Sequence, residues 1–347
     1  MSNSVRAEDS NDFVVVSGAS GFIGRRLALR LAVSHHPGAL QFLVGANDDA
    51  FCRSGTELLN RHRIQTLPVD LLRPTSLEKM RPPALLFHLA ANTHTWEVDH
   101  SCNDLGTQNL LRAFKVLGPQ THVIFTSTTA VLDNRSDLEQ PLDGMIQPVA
   151  PPLSPYGLSK WRAEQFLRKA AVVQGFRLSI VRLCTVYGPE PRPNTFFSVL
   201  NREVSRRTLA SRLNWPGLTS FVHVDDVVEC LLRLAKDAPE PGHPRTCLLA
   251  SESRTLPAVA RLLYMVRGLP YRMVSLPKNA WRLLRRVHGV CRGSAGHVPI
   301  RWFNALWRFD ILVNPVFNCD TSFMQKRFPE LKPRLLSDCI GELCTPA

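Results

Sequence analysis

Residues 13–24, Phe13-Val-Val-Val-Ser-Gly18-Ala-Ser-Gly21-Phe-Ile-Gly24, carry a β-branched run straight into three glycines spaced G-x-x-G-x-x-G. From Phe22 to Ala32 the apolar spacing turns helical. A strand, a tight turn and a helix in this order leave few folds open. The glycines allow the turn, the close approach of backbone to a pyrophosphate and the packing of helix on strand, while the helix N-terminus offers N–H groups and the positive end of its dipole. The candidate contacts in this turn are Gly18, Ser20, Gly21, Phe22, Ile23 and Gly24. A Gly-rich turn with a structural role alone is the other reading of these residues.

Further short apolar runs at 41–44, 84–89, 122–126 and 178–183 are separated by segments of helical length, two of which read as helices over 105–117 and 160–173. Buried parallel strands with covering helices give this pattern, so the expected fold is α/β, a Rossmann-type doubly wound parallel sheet. Pro-rich loops at 148–155 and 189–193 interrupt the alternation, and beyond about Pro239 it weakens. The expected division is a flexible N-terminus (1–11), an NAD(P)-binding Rossmann domain (12–240) with substrate-lobe contributions from about 185 to 220, and a smaller mixed C-terminal substrate lobe (241–347).

The end of the second strand of such a fold separates NAD from NADP, because an acid there bonds the ribose 2′-OH and an arginine accommodates a 2′-phosphate. Here it falls at Gly45, followed by Asn47, Asp48, Asp49 and Arg53. The missing acid at the strand end favours NADP, with Arg25 or Arg53 facing the phosphate, and Asp48 turned toward the ribose would favour NAD. The choice stays open. Asp70, with Leu71 after it, follows a short apolar strand where its carboxylate could reach an adenine amino group or simply cap a turn.

Tyr156-Gly-Leu-Ser-Lys160 sets a phenol and an amine four residues apart, on one face if the segment is helical. Tyrosine ionises near about pH 10, and a nearby cation favours the phenolate, which suits proton exchange with an alcohol or ketone. Thr126-Ser-Thr-Thr129 closes an apolar run and supplies hydroxyls to hold a substrate oxygen against Tyr156.

Together these features resemble the extended branch of the short-chain dehydrogenase/reductase superfamily, which includes sugar-nucleotide epimerases and hydroxysteroid dehydrogenases. The resemblance is carried by the 18–24 turn, His88-Leu-Ala-Ala91, Asn103-Asp-Leu-Gly-Thr107, Phe125-Thr-Ser-Thr128, Tyr156 to Lys160, Arg182-Leu-Cys-Thr-Val-Tyr-Gly-Pro189 and Phe221-Val-His-Val-Asp-Asp226, in family order over about 13–235. Seven ordered motifs weigh far more than any single pattern. The resemblance implies that Tyr156 transfers the proton, that Lys160 lowers the Tyr156 pKa and bonds the nicotinamide ribose, and that Thr128, or Ser127 beside it, holds the substrate oxygen. It also implies that Leu89, Ala90 and Ala91 pass the cofactor, which Tyr156 and Lys160 contact as well, and that Asn103 steadies that region. Thr93 and Thr185 are further substrate-side candidates. His88 reads as a strand-end residue beside the cofactor, and His223, Asp225 and Asp226 as a helix-entry cap.

Departures narrow the chemistry. Dehydratases of this branch carry Thr-Asp-Glu where this chain has Thr128-Thr129-Ala130, which argues against dehydration. Epimerases commonly have Asn at Thr185 and Arg at Thr219, both on a substrate diphosphate. The expected function is therefore hydride transfer between nicotinamide and a carbinol or carbonyl carbon, of the hydroxysteroid dehydrogenase or dihydroflavonol reductase kind. An NDP-sugar 4-epimerase is the alternative, and a non-catalytic cofactor-binding regulator the third class.

Nine cysteines lie scattered without a C-x-x-C pair, so no disulfide framework or zinc knuckle is expected; Cys184, inside a motif, could line the site. The net charge of +13 concentrates in 261–309, which holds ten Lys/Arg and no Asp or Glu, interleaved with bulky apolar residues in 281–288 and 301–309. No nucleic-acid motif accompanies this charge. A wall for an anionic substrate, a peripheral contact with an anionic membrane and a solvated face remain open for it. With no apolar stretch of membrane-spanning length and no secretory signal, the expected setting is cytoplasmic, with a small-molecule substrate and a homodimer left open.

Overall fold

The computed structural model describes residues 13–46, 49–78, 80–95, 97–135, 140–293 and 308–344. The expected flexible stretch 1–11, Asn47 and Asp48, and most of 301–309 lie outside them.

Strands β1 (Val14–Ser17), β2 (Leu40–Gly45), β3 (Thr66–Val69), β4 (Leu85–His88), β5 (His122–Thr128) and β6 (Arg177–Leu183) form the body of one sheet. β7 (Thr185–Tyr187) and β8 (Leu218–His223) leave it, β9 (Arg245–Leu249) returns to it, and β10 (Glu252–Thr255) leaves again. The large sheet runs β3-β2-β1-β4-β5-β6-β9 with every pairing parallel. Because β9 closes its edge, the main sheet extends past residue 240, where sequence patterning places the lobe boundary. Strand order reverses between β1 and β4, and a crevice opens at that point beyond the strands' C-terminal ends.

The longer helices among the described residues are α1 (Gly24–Ser34), α2 (Ala50–Arg61), α3 (Ser101–Ala113), α4 (Pro155–Gln174), α5 (Phe196–Ser205), α6 (Val224–Lys236), α7 (Leu256–Val266) and α8 (Lys278–Gly293). Strand side chains alternate between faces, so Val14 and Val16 join an apolar layer with Leu27 of α1 and Leu231 of α6. Val15 joins the opposite layer with Leu110 of α3 and Leu167 of α4. Burial on both faces is why these strands read as unbroken apolar runs. A third core, around Tyr187, Phe197, Phe221 and Tyr264, fills the smaller lobe under the mixed sheet β10-β8-β7.

α4 starts five residues before the apolar spacing alone suggests. Ser154 caps it by accepting the Gly157 N–H at 3.1 Å, and Pro155 occupies the first turn, where its missing N–H costs nothing. Tyr156 and Lys160 thus fall in the first turns of one helix. Among the described residues no helix is long and apolar enough to cross a membrane.

Candidate active site

The glycine turn links β1 to α1 as its spacing demands. Gly18 has φ +74°, and a Cβ there would lie 2.6 Å from the Ala90 nitrogen, so the β1 and β4 ends meet closely only because position 18 is bare. Gly18, Ser20 and Gly21 line a cleft of about 370 Å³ together with Asp70, Leu71, Leu89, Ala90 and Ala91. Phe22, Ile23 and Gly24 lie past it, at the entry to α1, where Arg26 stacks over the Phe22 ring at 4.7 Å. Asp70 lines the cleft, but its carboxylate accepts the Leu72 N–H at 2.9 Å and faces Arg73 Nε at 3.3 Å, the turn-capping role.

Behind the cleft runs a chain of buried hydrogen bonds. Thr107 donates to the Asn103 carbonyl at 2.6 Å, so it accepts from His88 Nε2 at 2.8 Å, and His88 Nδ1 takes the Ser17 hydroxyl at 2.6 Å. Burial, with the Lys160 charge adding, pulls the His88 imidazole down to about 3. A neutral ring with both nitrogens engaged joins β1, β4 and α3. Asn103 holds the neighbouring loop: it accepts the Asn92 N–H at 2.7 Å and donates to the Asn92 carbonyl and the Ser159 hydroxyl, both at 3.0 Å. It is a brace behind the cleft wall.

Thr128 and Tyr156 face each other across the end of β5, and a side-chain hydrogen bond joins them. Strand alternation turns Ser127 the other way, where its hydroxyl is buried without a partner among the described residues. The approach of α4 to the turn after β5 depends on Gly157, whose Cβ would sit 2.4 Å from the Ala130 carbonyl oxygen. Asp133, 2 % exposed, fastens the same junction. Its carboxylate accepts the Leu153 N–H (2.7 Å), the Ser154 N–H (3.1 Å) and the Ser154 hydroxyl (2.6 Å), tying the turn after Thr128 to the residues just before Tyr156. No sequence pattern marks Asp133. Its partners lie 20 and 21 residues away and meet it only in the fold.

Burial pushes the Tyr156 phenol up to about 12, with the Thr128 hydrogen bond opposing. The Lys160 ammonium is 1 % exposed, lies 4.0 Å over the Phe125 ring and has no hydrogen-bond partner among the described residues. Burial pulls it down to about 7, against the raising effect of Glu164. One turn along α4, Glu164 makes a fully buried two-point ion pair with Arg182 of β6, at 3.0 and 2.7 Å. An orphaned buried amine on the helix that carries Tyr156 fits the ribose hydroxyls of a nicotinamide dinucleotide, which would supply its missing acceptors.

A second cavity, of about 540 Å³, has Tyr156 in its wall. Thr93, Thr128 and Thr185 line it with Thr219, as do Cys184 and apolar residues including Leu183, Val186, Trp215, Leu312 and Phe317. Burial raises the Cys184 thiol well above its ordinary value, leaving it a small apolar group.

Two residues that sequence reading passes over, His94 and Arg192, join the two cavities. Arg192, from the Pro-rich loop after β7, lines both. It pairs with Asp49 and approaches His94 Nε2 at 3.1 Å, and His94 stands 3.4 Å from the same carboxylate. Although burial opposes it, the Cys52 N–H and Arg192 hold the Asp49 carboxyl down to about 2. The Pro-rich loop beside a motif was the one available signal. Arg25 stacks over Phe51 at 4.2 Å and bonds the Gly21 and Phe51 carbonyls.

The helix-entry reading of 223–226 is refined in detail: His223 Nδ1, not an aspartate, caps α6 by accepting the Asp225 N–H at 3.2 Å, while buried Asp226 accepts the Arg334 N–H at 2.7 Å. His223 Nε2 meets Glu342 at 3.0 Å, with Cys339 near. Since Nδ1 accepts, the ring proton sits on Nε2, where a metal would have to bind.

Comparison with known proteins places this geometry. The model of the NAD dependent epimerase/dehydratase family matches residues 14–250. GDP-6-deoxy-D-mannose reductase of Pseudomonas aeruginosa is 27% identical over 289 residues, spanning 79% of this chain and 86% of that one. A crystal structure described as gox2253 superposes with a TM-score of 0.71 at 24% identity, covering 96% of this chain and 97% of the other. UDP-glucuronic acid 4-epimerase from Bacillus cereus, solved with UDP-glucuronic acid and NAD, gives 0.69 at 18% identity, covering 95% and 98%. At these identities the structural likenesses concern the fold.

Proposed function

Because this chain belongs to the NAD dependent epimerase/dehydratase family, we propose that it is an NAD(P)-dependent oxidoreductase acting on an alcohol or ketone carbon held between Thr128 and Tyr156. The observation that carries the reading is Thr128 and Tyr156 together in the wall of a largely apolar cavity, one helical turn from the orphaned Lys160 amine, with a glycine-lined cleft adjoining that cavity at His94 and Arg192. The dinucleotide, NAD or NADP, supplies or accepts hydride when bound. Gly18, Ser20 and Gly21 would hold its phosphates, Leu89 to Ala91 flank it, and Lys160 would donate to its ribose.

Thr128 donates to the substrate oxygen and so sets that oxygen against the Tyr156 hydroxyl. Tyr156 gives its proton to a forming alkoxide or takes one from an alcohol. With its phenol held near 12 by burial, the free site stores the proton firmly. Partners for the Lys160 ammonium would keep that charge in place, and a fixed cation nearby makes the phenolate easier to form.

The cavity supports an apolar alcohol or ketone. Thr185 and Thr219 offer hydroxyls where a diphosphate clamp needs cations, and Leu183, Val186, Leu312 and Phe317 make its walls. One observation favours the alternative, a 4-epimerase acting on a nucleotide sugar: Arg192 and Arg308 both line the cavity. We extend the reading to a peripheral contact between the basic segment 261–309 and anionic lipid.

Purified protein incubated with each nicotinamide cofactor and panels of apolar ketones, alcohols and UDP-sugars separates these readings. Net oxidation of NADPH or NADH with a ketone supports the oxidoreductase. Interconversion of UDP-sugars without net change in cofactor supports the epimerase, and binding without either reaction overturns both.

A further inference from the structure

Helix α8 sits on the molecule with its apolar face outward. An amphipathic helix on a globular protein ordinarily turns its apolar stripe to the core. α8 is fastened along a different edge: Trp281 packs on Trp215 at 5.2 Å and bonds Asn214 Oδ1 at 3.2 Å, and Arg285 Nε donates to the Val313 carbonyl at 2.8 Å. At 3.6 residues per turn, Leu283, Leu284 and Val287 fall away from that edge. They are 63%, 37% and 53% exposed. Lys278, Arg282 and Arg286, one turn apart, run exposed along the flank of this stripe.

We propose that α8 is an in-plane membrane-docking helix, with Leu283, Leu284 and Val287 entering the interfacial region of an anionic bilayer while Lys278, Arg282 and Arg286 meet its headgroups. This rests on the peripheral contact proposed above and names the face and the mode of binding. Charge decides between the two occupants such a stripe could take. Lys278, Arg282 and Arg286 share α8 with no Asp or Glu. A second copy docked across a two-fold axis would set these cations against themselves, whereas anionic headgroups neutralise them as the apolar side chains leave water. The attachment also has a consequence for the pocket. Trp215, which carries Trp281, lines the apolar cavity, as do Ile311 and Leu312 beside Val313. A bilayer holding α8 thus lies beside the walls of the substrate cavity.

The test is sedimentation of the full chain with vesicles of phosphatidylcholine alone and of phosphatidylcholine with phosphatidylserine, at low and high salt. The wild type is expected to bind the phosphatidylserine vesicles selectively, more weakly as salt rises. At about 1 kcal/mol per surface cation, Arg282→Gln/Arg286→Gln should lower that affinity by about 30-fold at low salt. Leu283→Asn/Val287→Asn should abolish the binding that survives high salt. Both variants are checked for unchanged thermal midpoint and NADPH or NADH binding, since neither pair touches the site. Tyr156→Phe should bind vesicles like the wild type whether or not it turns over, so failure of docking and failure of the catalytic reading are told apart. Two results overturn the proposal: no binding to phosphatidylserine vesicles by folded wild type, or a dimer in sedimentation equilibrium that Leu283→Asn/Val287→Asn dissociates.

Discussion

The two cavities that meet at His94 and Arg192 are built by different physics. On the cofactor side polar groups are bonded to one another: Ser17, His88, Thr107 and Asn103 form one chain, and Asn103 ties the Asn92 loop to α4 through Ser159. On the substrate side the walls are apolar side chains from β6, β7 and the 308–317 segment, with threonine hydroxyls set among them. A connected polar network admits few substitutions, because removing one member leaves another buried and unsatisfied. An apolar wall admits many, at the cost of a changed shape.

If the cofactor side is the fixed half, its removals should be costly, and the largest effect should come from Tyr156→Phe. Turnover is expected to fall by about two to four orders of magnitude with NADPH or NADH binding near normal. Full turnover would break the contrast at its centre. Next comes Glu164→Gln, which leaves the Arg182 charge buried against a neutral partner. A loss of about 3–5 kcal/mol in denaturant-derived stability is expected, and a loss below about 1 kcal/mol would mean the site helix is held by packing alone.

A smaller effect is expected of Asp133→Ala, which releases the residues before Tyr156. Stability should drop by about 1–3 kcal/mol and kcat by roughly tenfold, with cofactor Kd unchanged, while Asp133→Asn, keeping an acceptor, recovers most of both. Equal losses for the two variants would argue against positioning.

The Lys160 amine gives a pH dependence. Its folded value lies near 7, below the ordinary 10.5. The unfolded chain therefore binds more protons between these limits, and stability should rise with pH across that window. Thermal midpoints of the cofactor-free protein compared with Lys160→Met should show the wild type gaining on the variant from about pH 7 to about pH 9. Smallest of all is Arg192→Gln at the junction of the cavities: its partly exposed pair with Asp49 should change NAD(P)H affinity by no more than about fivefold. A much larger change would move Arg192 to the cofactor side.

How much was legible beforehand follows from distance along the chain. Gly18 to Gly24 and Tyr156 to Lys160 act within one turn, so their spacing is their geometry, and the apolar runs show the buried strands because parallel strands are covered on both faces. The order of motifs located the helix and strand ends that surround the site. Asp133 with Ser154, Glu164 with Arg182 and Arg192 with Asp49 could not be read, because each pair joins residues 18 to 143 positions apart through hydrogen bonds or charge, which leave no period in a sequence. Patterning also closed the Rossmann region at 240, whereas β9 at 245–249 belongs to the sheet, since a five-residue edge strand followed by turns carries little alternation.

The sequence by itself determined the fold class, the glycine turn from β1 into α1 and the placing of Tyr156 and Lys160 on one helix, since all are written in local spacing. Only the tertiary structure decided that Thr128 and not Ser127 meets Tyr156, that the Lys160 amine is buried without a protein partner and that the apolar face of α8 points to solvent. Each of those depends on what lies opposite a side chain, and that is set by packing between elements far apart in the chain.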